Sequence, residues 1–379
     1  MGIRLGNICQ FQSGGTPSKS KAEYFNGTIP WITTIALNGG KIGGESAVDW
    51  ISTEAIRESA AKIVPAFSIM VGTRVGVGKV AINTVDMSTN QDIISLLDIN
   101  EGAWCKEYLC KFIRAKSAYL NSQARGATIK GIKINVLSEL EVPEISREEQ
   151  FRISRIIDKT QKIIDAHQQQ LQKLDNLIKA RFVEMFGQGN YEVEKLGTVC
   201  KKITDGTHKT PTYLDEGVTF ISAKNIINGE LDFNDIKHIS EEEYQEIQKR
   251  CQTEIYDILL SKSGSLGSPA IVKTKKKLGL FESLAVLKYD RERLLPEFLC
   301  EQLKTNGVQK QFITGTKGVA IKHLHLGVIA DTDIIVPPLV EQKTFAVFVE
   351  QVNKSKAAVQ KALDEAQLLF NSLMQQYFG

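Results

Sequence analysis

The chain is written twice, and this constrains its fold more than any other feature. With a period of about 190 residues, Arg4-Leu5-Gly6-Asn7-Ile8-Cys9 returns as Lys195-Leu196-Gly197-Thr198-Val199-Cys200. Gly15-Thr16-Pro17 aligns with Gly206-Thr207 and Pro211, and Ile29-Pro30-Trp31-Ile32-Thr33 with Val218-Thr219-Phe220-Ile221-Ser222. Asn38-Gly39 is followed in the second copy by Asn228-Gly229, and the run Val75 to Ile82 by Gly264 to Ile271. Val142-Pro143 aligns with Val336-Pro337 and Glu149-Gln150 with Glu341-Gln342, and each copy closes on Phe-Gly, at Phe186-Gly187 and Phe378-Gly379.

Within each copy the texture changes once. The first ~140 residues are rich in β-branched side chains and punctuated by glycine, as in short strands joined by tight loops. About 40 residues without Gly or Pro follow, from Ser146 to Phe186 and from Val340 to Phe378, entered past Pro143 and Pro337-Pro338. Such stretches read as long helices. Both carry apolar residues in alternating steps of three and four. Ile157, Ile164, Leu171, Leu174 and Ile178 mark the seam of the first helix; Val349, Val352, Val359, Leu363, Phe370 and Leu373 mark that of the second. Thr160, His167, Arg181 and Lys356 interrupt the seams, which run on to Met185 and Tyr377. Heptads of this kind predict a coiled coil. The expected fold is α+β: two similar α/β domains joined by two long helices that form an antiparallel coiled coil, with pseudo-twofold symmetry. The expected division is a first domain at 1–145, a helix at 146–187, a linker at 188–194, a second domain at 195–337 and a second helix at 338–379. The two ends of the chain are then expected to lie close together.

Several kinds of chemistry find no support. The run Met70 to Ala81 holds Thr73 and Val80 where a phosphate-binding loop needs Gly and Ser or Thr. Gly76-x-Gly78-x-x-Ala81 fits a dinucleotide fingerprint formally, but a strand-like run follows it rather than a helix, so a turn between two strands is expected. Pro337-Pro338 lacks the polar and aromatic neighbours with which an adenine methyltransferase holds its flipped base. His323-Leu324-His325 has no third ligand, and the six cysteines form no CxxC pair, so neither metal nor cofactor is expected. The start leads into no apolar segment of a signal peptide, and no run reaches the ~18 apolar residues of a membrane helix, so a cytoplasmic protein is expected. Net charge is +3, so any nucleic-acid contact must come from local patches.

The repeated motifs resemble those of the specificity subunit of type I restriction-modification systems. The resemblance rests on Ser13-Gly14-Gly15-Thr16-Pro17 and Ile29-Pro30-Trp31-Ile32-Thr33-Thr34 in the first copy. In the second it rests on Thr204-Asp205-Gly206-Thr207-His208-Lys209-Thr210-Pro211 and the segment Phe220 to Ile226. Asn90-Gln91, the segment Gly126 to Lys130 and the helix entry Pro337 to Gln342 fit as well. The resemblance spans the chain. It implies a non-catalytic reader of double-stranded DNA with two target recognition domains, each taking one half of a split, asymmetric target. It further implies two modification subunits docked on this chain, with restriction subunits joining the larger complex. Two other readings stay open: a self-contained DNA methyltransferase, and a coiled-coil scaffold that binds protein alone.

For a DNA reader, the candidates are polar and basic side chains on the glycine-rich loops, because base edges are read by such groups and phosphates are gripped by cations. In the first domain these are Thr16, Lys19, Thr33, Asn38, Arg74, Lys79, Arg125, Lys130 and Lys133. In the second they are Thr207, His208, Lys209, Lys224, Asn225, Lys262, Ser263, Lys317, Lys322 and His323. Trp31 and Phe220 share one repeat position and are expected in the core. The basic run Lys273 and Lys275 to Lys277 is expected at a solvated hairpin tip.

Overall fold

The computed structural model describes residues 2–126, 130–315 and 323–379. Two compact units emerge, one comprising Met1–His167 with Ala362–Gly379, the other Gln168–Lys361. The long helices, Arg147–Phe186 and Leu339–Phe378, are each 40 residues and are cut near their middles by this division. Each unit therefore holds one β-rich domain, the first half of the helix that follows it and the last half of the other.

In the first unit a five-stranded sheet runs in the order Gln10–Ser13, Ile93–Leu97, Ile69–Gly72, Val80–Asn83, Lys41–Ile42. A four-stranded sheet has the order Asp49–Ile51, Ile29–Ile32, Met87–Thr89, Ile63–Val64, with Ile29–Ile32 and Met87–Thr89 parallel. In the second unit the larger sheet is Cys200–Asp205, Leu284–Tyr289, Ile258–Ser261, Pro269–Ile271. The smaller is Lys237–Ile239, Val218–Ile221, Leu278–Leu280, again with its last pair parallel. The central strands are buried along their whole length, which is why Ile69–Gly72 and Ile258–Ser261 read as unbroken apolar runs rather than as alternating ones. The dinucleotide-like run is the loop of the antiparallel hairpin Ile69–Gly72 and Val80–Asn83. Trp31 and Phe220 are both buried. The lysine run Lys273–Lys277 is solvated, but it connects strands of two different sheets and is not a hairpin tip.

The helices are held by their apolar seams. In the first unit Ile153, Ile157 and Ile164 join a core with Ala366, Phe370 and Phe378. In the second, Ile178, Phe182 and Phe186 join one with Phe345, Val349 and Val352. There Phe182 meets Phe345 at 5.5 Å between ring centres, and Lys356 reaches Asp175 at 2.6 Å, so the two helical segments run in opposite directions. Leu171, Leu174, Leu363 and Leu373 are half-buried, and Val359 is buried. Near Phe186 the strict heptad count fails: Phe182 and Phe186 are buried, whereas Arg181 and Met185 sit at the margin. There the helix leaves its partner for the domain core and reverts to the 3.6-residue period.

The Glu-Gln pair of the repeat has a plain structural meaning. The amide of Gln150 accepts from the Cys105 N–H (2.8 Å) and donates to the carbonyls of Ala103 and Ile145. That of Gln342 accepts from Leu295 N–H (2.9 Å) and donates to Arg293 and Pro337 carbonyls. Each buried glutamine thus satisfies three backbone groups that no strand or helix could reach, tying a long helix to its domain. These bonds make Ile145, rather than Pro143, the counterpart of Pro337.

Candidate nucleic-acid interface

Five chain segments meet at one end of each unit, and strand register places them. In the first unit, Ile94 pairs with Ser13 and Ile93 with Gly72, while Ile32 lies beside Thr89. The segments leaving these strand ends, Gly14–Thr16, Thr33–Asn38, Thr73–Lys79 and Asn90–Asp92, emerge together. The Ile132 N–H bonds the Thr73 carbonyl at 2.8 Å, and Arg125 and Gly131 exchange backbone hydrogen bonds, which adds Arg125 and the residues 131–133. In the second unit Ala285 pairs with Asp205, Leu284 with Ser261, and Ile221 with Leu280. Segments 206–209, 222–225, 262–268 and 281–283 emerge there, and the Leu324 N–H bonds the Lys262 carbonyl at 2.8 Å.

The glycines of the first motif are explained by close approach. A Cβ on Gly14 would stand 2.2 Å from the Asn90 carbonyl oxygen, and one on Gly206 would stand 2.1 Å from that of Leu280. Only a residue without a side chain lets this strand end cross the parallel pair. The structural counterpart of Gly206 is Gly14, one residue earlier than the motif alignment places it. In the hairpin loops the Gly78 N–H bonds the Gly72 carbonyl and the Gly267 N–H that of Ser261; both glycines hold positive φ, 81° and 77°.

In the first unit the end is mostly neutral at its centre. Exposed Thr16 donates to Gln91 Oε1, and Asn38 Oδ1 accepts from the Gly40 N–H at 2.9 Å. Thr33 departs from expectation: its hydroxyl is enclosed and faces no partner. Arg74, Arg125 and Lys133 line a cavity of about 590 Å³ with Tyr119, and Arg74 lies 3.7 Å from Asp92. Lys19, Lys79 and Lys130 are exposed.

The second unit presents an ion network instead. Asp205 and Lys262 are each 3% exposed, and the Lys262 ammonium donates to Asp205 at 2.5 Å. Arg250 also donates to Asp205, and His208 Nε2 lies 3.3 Å from it. Glu282 sits 3.6 Å from His323 and 3.9 Å from both His208 and Lys262. Burial pushes the Asp205 carboxyl up, but Lys262 and Arg250 outweigh it and hold the group below the usual carboxylate range. Burial and the nearby Lys262 charge hold His323 below the ordinary histidine value.

Lys262 is therefore not a surface contact; its charge is spent inside the domain. Asn225 is also buried: its side chain accepts from the Ser222 N–H at 3.0 Å and donates to the carbonyls of Asp232 and Asp235, fixing the turn that follows Ile221. Lys224 and Ser263 line a cavity of about 610 Å³, with Lys224 paired to exposed Asp235 at 2.7 Å. Thr207 is half-buried and accepts from the Lys209 N–H; Lys209 itself is exposed. Lys317 and Lys322 lie outside the described residues. Sequence reasoning passed over Gln91, Asp205, Arg250 and Glu282 as site residues, although Asn90-Gln91 and Thr204-Asp205 stood inside its motifs.

Among the described residues no cluster of His, Cys, Asp and Glu is arranged to hold a metal ion. Burial pushes the thiols of Cys9, Cys110, Cys200 and Cys251 up to about 12 and that of Cys300 to about 11, so these are packing groups and poor nucleophiles. No described helix is long and apolar enough to cross a membrane.

Comparison with known proteins places this architecture. The chain is 25% identical over 362 residues to the MjaIX specificity subunit of Methanocaldococcus jannaschii, covering 88% of this chain and 82% of that one. It is 33% identical over 162 residues to the EcoR124I/EcoR124II specificity subunit of Escherichia coli, covering 41% and 39% respectively. Among solved structures, a chain from a study of complex assembly and conformational transition in a type I restriction-modification system superposes with a TM-score of 0.61 at 16% identity, over 100% of this chain and 97% of that one. The type I specificity subunit from M. genitalium superposes with a TM-score of 0.58 at 14% identity, over 100% and 96%. The sequence matches the family described as "Type I restriction modification DNA specificity domain" over residues 2–176 and again over 188–367, and the chain belongs to that family.

Proposed function

We propose that this chain is the DNA-reading subunit of a type I restriction-modification complex and reads a split, asymmetric target. One observation carries the reading: the same loop segments gather at the same end of both units on equivalent backbone hydrogen bonds, yet bear different side chains. A frame that is kept while its side chains differ suits two readers of different sequences. The recognition domains are 1–145 and 195–337, with the linker 188–194 between the copies. The helices 146–187 and 338–379 form an antiparallel coiled coil about a pseudo-twofold axis. Forty helical residues span ~60 Å, which is the reach of a spacer between half-sites one or more DNA turns apart. The buried seams and the opposed helix directions support this arrangement. Two modification subunits dock on this chain and restriction subunits join them; adenine methylation, ATP-driven translocation and cleavage reside in those partners.

The readers on this view are the exposed and half-buried loop side chains: Thr16, Lys19, Asn38, Arg74, Lys79, Arg125, Lys130 and Lys133 at one end, and Thr207, His208, Lys209, Lys224, Ser263 and His323 at the other. The direct test is a genome-wide map of methylated adenine with and without this gene. Loss of methylation at one motif, two short blocks around a fixed gap, is expected. An unchanged map in a host that expresses the modification subunits overturns the reading. A protein-only scaffold is separated from a reader by competition: the assembled complex is expected to discriminate its target from random duplex, and a scaffold is not.

A further inference from the structure

The first unit carries at its loop-bearing end a feature that polar recognition does not use. Ile35 is 83% exposed and Val75 is 56% exposed. Ile35 sits on a short turn, Thr34–Ala36, closed by the Ala36 N–H on the Thr33 carbonyl at 3.1 Å and anchored by buried Leu37. Val75 sits in the hairpin loop Thr73–Lys79. The two loops adjoin: the Gly39 N–H bonds the Val80 carbonyl at 2.7 Å, and a Cβ on Gly72 would stand 3.6 Å from the Leu37 side chain. Leu37 gives the turn its hold on the core; Ile35 gives it nothing. Single exposed apolar residues are ordinary on a protein surface. Two on adjoining loops, at the end where Thr16, Gln91, Arg74 and Lys79 also gather, are a different matter. At the corresponding place in the second unit, the residue matching Ile35 is Lys224, and Val75 aligns with Gly264.

Within the major groove, the apolar group presented at a base edge is the 5-methyl of thymine. We propose that Ile35, with Val75 on the adjoining loop, reads a thymine methyl group in the half-site taken by the first unit, a contact that Lys224 and Gly264, at the matching positions of the second unit, do not make. This rests on the reading of these ends as DNA-binding. It makes Ile35 a specificity determinant that a search among polar side chains overlooks.

The test uses the full chain assembled with its modification subunits. Preferred duplexes are selected from a random pool with the wild type and with Ile35→Ala, and each thymine of the selected duplex is then replaced in turn by deoxyuridine, which lacks only the methyl group. For the wild type, one such replacement in one block is expected to weaken binding about fourfold, the worth of one methyl group removed from water. Ile35→Ala is expected to bind thymine and uracil duplexes equally, and Ile35→Val, which keeps a branched apolar side chain, to retain most of the penalty. Because Ile35 is 83% exposed, both variants are expected to keep the fold. A uracil penalty that persists in Ile35→Ala overturns the proposal, as does the absence of any methyl-sensitive thymine. A selected pool with no sequence preference in either protein fails earlier, by removing the DNA-reading function itself, and is distinguishable from both.

Discussion

The two loop-bearing ends share a backbone and differ in chemistry. Thr73 and Lys262 occupy equivalent places: each carbonyl accepts from the returning segment at 2.8 Å, through Ile132 or Leu324. Thr73 closes its site with a hydroxyl bond to the Asp92 carbonyl at 3.0 Å. Lys262 brings a charge into the same buried place, and the second domain answers with Asp205 where the first has exposed Ser13. The neutral pair Thr16–Gln91 is matched by the ionisable pair His208–Glu282, and Ile35 by Lys224. Backbone bonds and two close-approach glycines hold the frame, so side chains can differ without moving it. The exception is a buried charge, which requires a second residue to differ with it.

A similar contrast exists where the long helices end. Phe186 packs among four described rings, Phe182, Tyr191, Phe298 and Phe345, whereas buried Phe378 meets two, Tyr108 and Phe112. Truncating a buried phenylalanine costs about 3–5 kcal/mol. Phe186→Ala is expected near the upper end and Phe378→Ala near the lower, measured as the loss of hydrogen-exchange protection in the unit concerned. Equal losses in the two units would remove the distinction. Next in size is the buried ion pair. Asp205→Asn leaves Lys262 only the more distant Glu282, at 3.9 Å, and is expected to cost about 3 kcal/mol in the second unit. Ser13→Ala, at the corresponding exposed place, is expected to change stability by less than about 0.5 kcal/mol. The double change Asp205→Leu with Lys262→Met is expected to recover most of the loss, since apolar pairs replace buried ion pairs well. If the double variant is as unstable as Asp205→Asn, the network is doing more than neutralising Lys262.

Much of this architecture was legible in the chain because repeats and heptads are written in one dimension. The helices begin and end within a residue or so of the glycine-free stretches, and the loops that meet at each end are those marked by glycine motifs. What escaped depends on partners far away in sequence. Lys262 stands in a Ser- and Gly-rich loop and reads as a surface cation; its burial is set by Asp205, 57 residues earlier. Asn225 was recoverable, since Ser222 and Asn225 have the spacing of a capping box, although asparagine is equally a residue type that reads base edges. The seam was carried too far because heptad counting assumes a helical partner, whereas Phe182 and Phe186 turn to a domain core. Nothing in the sequence around Ile35 marks it as exposed, since an isoleucine three residues past a buried strand reads as core.

The smallest expected effect is a difference in pH response between the ends. His323 faces Lys262, His325, Glu282 and Asp205, and burial with the Lys262 charge keeps its folded value below that of a free histidine. The unfolded chain takes up the proton first, near pH 6.5, so the folded arrangement is favoured above that pH and loses ground as pH falls through it. Asp205, whose folded value is also depressed, makes its contribution above the ordinary carboxylate value near 3.9 and loses it only under stronger acid. Between pH 7.5 and 5.5, then, His323 is the group expected to act. Of the five histidines only His167 belongs to the first unit, and it lies on the long helix. Amides of 262–268 are therefore expected to exchange severalfold faster at pH 5.5 than at 7.5 after correction for intrinsic rates, while those of 73–79 hold steady. His323→Gln is expected to abolish the difference. A parallel response in both loops would mean that the ionic content of the second unit does not set its behaviour, and the comparison between the two ends would then rest on the apolar and neutral side chains alone.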